Sequence, residues 1–336
     1  MSTDFKWIRV DFQDFINNYN KDVVLELAPT ILHSKKDKEH ESFGSLVAFF
    51  LVVGSCLIYV ALSLMFSSIY FSPILFSIIV ASCAIFALFL IINYLKSNIN
   101  IRLIECWFEI HETPYINNEK YFCFTYYPIF TGKCHPNKAK NIIYKLYQEE
   151  ILKNKLDISQ IELYLKTSKD NEKEIKPIGF FFQYGEGTPF KSENINRNSW
   201  RFFPFEKISS DNYIATSNWD HQFEWREDLE LDYDKLHDYA PWIIKKWNEY
   251  DLKPLTKEFK DSINWDLRRI ESEPKLKPWF GPLETQTYES YKAYKDLQMV
   301  NEIIEKIIGS NVKIRKLKDL HEHLLEIKAY LRDLKK

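Results

Sequence analysis

The dominant feature of the hydropathy pattern is an uncharged run. No Asp, Glu, Lys or Arg occurs between Glu41 and Lys96. A helix needs roughly 20 apolar residues to cross a hydrocarbon core of about 30 Å, so the run is long enough to cross twice. It is interrupted where Ser67, Ser68, Tyr70, Ser72 and Pro73 cluster, and proline suits the first turn of a new helix. The pattern predicts a transmembrane helical hairpin, 43–66 and 73–95, within a segment 43–95. Lys35, Lys36 and Lys38 precede it, Lys96 and Arg102 follow it, and its turn carries no cation. The positive-inside rule then predicts a two-pass integral membrane protein of a bacterial plasma (inner) membrane, both termini cytoplasmic.

Before the run, Phe5, Ile8, Phe12, Phe15, Ile16 and Tyr19 fall at helical spacing. An amphipathic helix and a charged linker are expected over 1–42. After it, 96–230 reads mainly as strands, at 102–112, 121–127, 160–167, 177–184, 200–205 and 213–225, with one helix at 137–155. An α+β cytoplasmic domain of mostly antiparallel strands is the expected fold there. The region 231–336 turns helical, at 241–250 and 255–270, and ends in a predicted antiparallel helical hairpin or short coiled coil. Leu317, Leu320, Leu324, Ile327, Leu331 and Leu334 are spaced alternately three and four apart, a seam that packs within one chain or forms a homo-oligomer.

Composition adds little direction. Among 336 residues there are 25 Phe and 20 Tyr but only 8 Gly, which favours packed aromatic sheets over a glycine-rich phosphate loop. A net charge of −2 gives no field that would gather nucleic acid. The five cysteines show no C-x-x-C spacing and imply no disulfide framework or metal site.

Candidate chemistry is sparse. No nucleotide-loop, kinase, G-x-S-x-G or H-E-x-x-H pattern occurs, and no catalytic, cofactor or metal residue is assigned. Gly185 and Gly187 form a G-x-G that runs into Pro189 rather than a helix. His321 and His323 point to opposite sides of a helix, and Cys134-His135 beside Pro136 suits a turn. His111 shares a strand face with Glu109, which orients an imidazole or is simply a satisfied pair. The one polar cluster singled out is Asp220, His221 and Glu224. As a strand, Asp220 and Glu224 would share one face, where two carboxylates hold a cation or serve acid–base chemistry. The alternative is an acidic face turned to solvent.

A short two-helix anchor followed by a strand-rich domain resembles, in outline, bacterial membrane effectors of antiphage signalling. No residue motif carries that likeness, so no site is transferred. Three functions are expected: a membrane-anchored cytoplasmic binding or scaffold protein, a ligand-gated membrane-disrupting effector that oligomerises through its hairpin, or a membrane-attached enzyme with an unrecognised site. The partners implied are the lipid bilayer, a second copy, and a protein or small molecule.

Overall fold

A computed structural model describes residues 5–19, 22–35, 37–40, 98–185, 199–205, 213–226, 242–248, 250–268, 270, 272–286, 327–329 and 331–333. Two compact units are present, one formed by 1–37 with 101–336 and the other by 38–100. In the second, β3 (Lys38–His40) pairs antiparallel with β4 (Asn98–Asn100).

The first unit is built on a long hairpin. Strand β5 (Leu103–Glu112) pairs antiparallel with β6 (Glu119–Phe130) from Glu112↔Phe122 to Leu103↔Phe130, with one bulge. The connection turns at Asn117 (φ 51°) and Asn118 (φ 66°). Two left-handed central residues match the right-handed twist of the strands, and asparagine tolerates that conformation. Strands β8 (Ile161–Ser168), β9 (Asn171–Gln183) and β10 (Trp200–Pro204) extend the sheet beyond β6, and β7 (Asp157–Ile158) pairs with the end of β6. On the other edge of β5 lie two short strands from distant parts of the chain, end to end. They are β1 (Ile8–Val10), antiparallel, and β14 (Leu252–Pro254), parallel. A second sheet has the order β12 (Phe223–Arg226), β11 (Tyr213–Thr216), β2 (Ile31–Ser34), β13 (Trp242–Lys245), with β11 and β2 parallel.

Alternation along the strands places the core. Phe108 and Ile110, Phe122, Phe124 and Tyr126, Ile161 and Leu163, and Phe180 and Phe182 pack in one cluster with Ile31, Ile214 and Phe223 of the second sheet. Phe15 of α1 (Phe12–Asn18) and Val24 of α2 (Asp22–Glu26) close it. Burying each such side chain contributes about 1.5–3 kcal/mol. The helical spacing expected from Phe5 resolves into β1 and α1, separated at Asp11. Its carboxylate accepts from Gln13 N at 2.8 Å as the helix cap, satisfying a donor the first turn leaves open. The predicted helix at 137–155 corresponds to α3 (Lys138–Tyr147) and a π turn, Gln148–Leu152.

The opposite face of the large sheet is polar as well as aromatic. It carries Glu109 and His111 on β5, Cys123, Thr125 and Tyr127 on β6, and Glu162 and Tyr164 on β8. Segments after β14 cover it, through α4 (Lys257–Ser262), α5 (Trp265–Arg268) and the irregular stretch 272–286. Leu255, Ile263 and Trp265 pack on Tyr127 and Ile129, and Leu276 and Leu283 pack on Cys123, Tyr164 and Phe181. Helix at 241–250 is not formed. Residues 242–245 are β13, paired with β2.

The membrane-protein reading is corrected to an α+β fold with mixed sheets. Among the described residues no helix is long and apolar enough to cross a membrane. The longest, α3, has 10 residues, about half the length a crossing needs. The expected spans 43–66 and 73–95 lie outside the described residues. The lipid bilayer as partner, the two-pass inner-membrane orientation, and the three functions built on a membrane anchor are set aside with it. Ile327 and Leu331 are fully buried within the single chain, while Leu317, Leu320, Leu324 and Leu334, like His321 and His323, lie outside the described residues.

Candidate functional site

Asp220 and His221 sit not on a strand but in the tight connection between β11 and β12. Residues 216–222 are each at most 1% exposed. The Asn218 carboxamide oxygen accepts from Asp220 N at 3.1 Å and Gln222 N at 3.3 Å, and its nitrogen donates to Gln222 Oε1 at 2.6 Å. This self-bonded loop lets His221 take a left-handed conformation, φ 51°, which a non-glycine residue adopts only where its surroundings compensate.

Three other parts of the chain meet it there. His221 Nδ1 is 2.6 Å from Asp157 Oδ2 and its Nε2 is 2.8 Å from Asp37 Oδ2. Phe130 stacks on the imidazole at 3.8 Å. Lys133 Nζ pairs with Asp157 at 3.3 Å and also with Asp220. Although burial disfavours its charge, the two carboxylates push His221 up to about 9, while Lys133 and His221 hold Asp157 down at about 2 despite burial. With both ring nitrogens donating, the imidazolium has no lone pair to act as a base at neutral pH. His33 Nε2 hydrogen-bonds the Ile101 carbonyl at 2.8 Å, and burial holds this imidazole below its usual range. The centre ties four distant segments together through buried charge. Glu224, on β12, pairs instead with Arg226 at 4.0 Å.

An accessible site lies on β5. Where the ends of β1 and β14 fail to meet, they leave a notch of about 410 Å³ lined by Arg9, Phe12, Phe108, Glu109, Leu255 and Lys257, among others. Arg9 spans it, its Nη2 donating to Leu255 O at 2.7 Å. The Glu109 side chain, 1% exposed, accepts from Tyr127 OH at 2.5 Å through Oε1. Its Oε2 is ion-paired with Arg9 Nε at 3.4 Å and Lys260 Nζ at 3.7 Å. Burial raises the Glu109 pKa, opposed by the Lys260 charge, the Tyr127 hydrogen bond and Arg9. His111, two residues along the same face, is pushed down to about 4 by burial and by the charges of Arg9, Lys260 and Lys275, so its imidazole is neutral.

A larger groove of about 880 Å³ runs along β1 and α1. Within it Lys120 pairs with Glu112 at 2.7 Å and Tyr115 donates to Glu172 at 2.7 Å. A buried carboxylate held between two cations beside an open cleft is the more telling signal. Among the described residues, no group of three or more His, Cys, Asp or Glu side chains is arranged to hold a metal. Cys134 and His135 form a turn in which His135 Nδ1 accepts from Asn137 N at 3.0 Å. The sequence pattern paired Glu109 with His111 correctly on one face but gave no sign of Arg9, Tyr127 or Lys260, which reach Glu109 from three other elements.

No protein-family model, curated protein or solved structure matches the chain.

Proposed function

We propose that the chain is a small-molecule-binding protein whose ligand enters the notch between β1 and β14 and is read by Glu109. The observation that carries this reading is the cleft of about 410 Å³ at the break in the β5 edge, lined by Glu109, whose buried carboxylate is ion-paired with Arg9 and Lys260. That volume lies within the range of about 300–1,000 Å³ that holds small ligands. Asp220 and His221 act in this reading as buried supports of the fold, away from the ligand.

The test is a thermal-shift screen of small polar compounds against the full chain, repeated with Arg9→Ala and Glu109→Leu. Hits whose stabilisation disappears in both variants support the notch. Hits that stabilise the variants as strongly as the parent would place binding elsewhere and sink the proposal.

A further inference from the structure

The chain leaves the first unit after Asp37 and returns to it at Ile101, and inside that unit the two ends are tied to each other. Ile101 N donates to Asp37 O at 3.0 Å, and Asp37 N donates to Ser34 O at 3.3 Å. Two imidazoles complete the seam. His33 Nε2 lies 2.8 Å from Ile101 O, and His221 Nε2 lies 2.8 Å from Asp37 Oδ2. A carbonyl oxygen only accepts, so His33 carries its proton on Nε2 and a lone pair on Nδ1. That Nδ1 is buried and makes no hydrogen bond among the described residues. The two rings are 6.1 Å apart, Phe130 lies against both, and Asp37 Oδ2 is 4.0 Å from His33 Nε2. One buried carboxylate thus stands between two buried imidazoles.

That carboxylate can neutralise one imidazolium, and His221 already has it. His221 places its two ring nitrogens on Asp37 and Asp157, with Lys133 and Asp220 beyond Asp157. Ile243, opposite His33 on β13, Phe130 and Ile101 carry no charge. A proton on His33 Nδ1 would therefore add a second buried cation beside His221 without an acceptor of its own. Burial holds this imidazole below its ordinary 6.5, outweighing the pull of Asp37. We propose that His33 is a proton-operated latch: neutral, it binds the returning end of segment 38–100 beside the departing end, and protonated it leaves its buried position and opens the seam locally. The proton comes from solvent and stays on the imidazole. Opening frees Asp37 and Ile101, the two points at which 38–100 is attached to the first unit. The latch is separate from the notch and holds whether or not the notch takes a ligand.

Hydrogen exchange of the full chain between about pH 5 and pH 7.5 tests the latch, read as protection factors so that the intrinsic pH dependence of exchange divides out. An open state that binds one more proton than the closed state gains up to about tenfold in population per pH unit. Protection of the Ile101 amide is therefore expected to fall by up to about tenfold per unit below 6.5, the ordinary value to which a released imidazole returns. The amides of β6 are expected to keep their protection. His33→Gln, whose side-chain amide can still donate to the Ile101 carbonyl but does not titrate, is expected to flatten the Ile101 profile. Its melting temperature confirms that it is folded. Nitrogen NMR of the parent's histidines is expected to show His33 neutral at pH 7, with its proton on Nε2. An imidazolium there overturns the latch whatever the variant does. So does Ile101 protection that is constant with pH, or that falls as steeply in His33→Gln. Parallel loss of protection in β6 would mark global unfolding and overturn the local seam.

Discussion

Asp37 Oδ2 lies 2.8 Å from Nε2 of His221 across 184 residues of sequence. With Asp157 on the other ring nitrogen, the imidazole joins the end of β2, the start of β7 and the turn between β11 and β12. Replacing it with Asn leaves two buried carboxylates facing each other. A loss of about 3–5 kcal/mol is expected from urea denaturation, the scale for breaking a buried charge pair.

The same centre sets a pH dependence. His221 is raised from its ordinary 6.5 to about 9, so the stability it contributes is complete below about 6.5 and is lost as pH rises through about 9. Asp157 is lowered from 3.8 to about 2, so its share is present above 3.8 and is lost as pH falls through about 2. His33, held below 6.5 by burial, adds stability above that value and withdraws it on acidification. The denaturation midpoint should therefore decline between about pH 7 and pH 9, and His221→Asn should flatten that decline. A parent protein equally stable at both values would contradict the assignment.

A second buried pair holds the covering layer on the large sheet. Lys275 Nζ meets Glu162 Oε1 at 2.7 Å, both side chains at most 1% exposed, and Tyr164 OH meets Oε2 at 2.5 Å. Lys275→Met strands the carboxylate and should cost about 3–5 kcal/mol. Adding Glu162→Gln should recover part of it. Hydrogen exchange at residues 272–286 reads the effect directly, since Leu276 N donates to Tyr164 OH at 2.8 Å.

Gly179 has no room for a side chain. A Cβ there would collide with the Phe203 carbonyl oxygen and the Phe202 ring of β10. Gly179→Ala should destabilise by about 1–3 kcal/mol, the usual cost of overpacking. The amides of β10 should exchange faster.

Tyr127→Phe removes the hydroxyl that donates to Glu109. Since that bond favours the ionised carboxylate, its loss should raise the Glu109 pKa further. The Glu109 titration, followed by carboxyl-carbon NMR, should then move to higher pH. A downward move would reverse the role assigned to the phenol.

The sequence made some of this architecture readable and concealed the rest for a physical reason. Strands β5, β6, β8 and β9 stand near their predicted positions because their residues alternate into one continuous core. Trp242-Ile-Ile-Lys245 falls in a stretch expected to be helical, yet pairing with β2, from the other end of the chain, makes it a strand and overrides local preference. Asp220 and His221 stood out, but Asp37, Lys133 and Asp157 looked like ordinary solvated charges, because nothing local marks a charge that burial will pair. The notch was invisible for the same reason. It exists only where two separate strands stop short of each other.

The shared edge of β5 has a temporal consequence. Its two occupants are β1 at Ile8–Val10 and β14 at Leu252–Pro254, and Lys260 follows still later. A chain emerging from the ribosome carries Arg9 almost from the outset but cannot enclose Glu109 until some 250 residues have been made, a long loop whose closure costs entropy. Completion of the notch thus becomes a late milestone of synthesis, and a prematurely terminated chain lacks one of its walls.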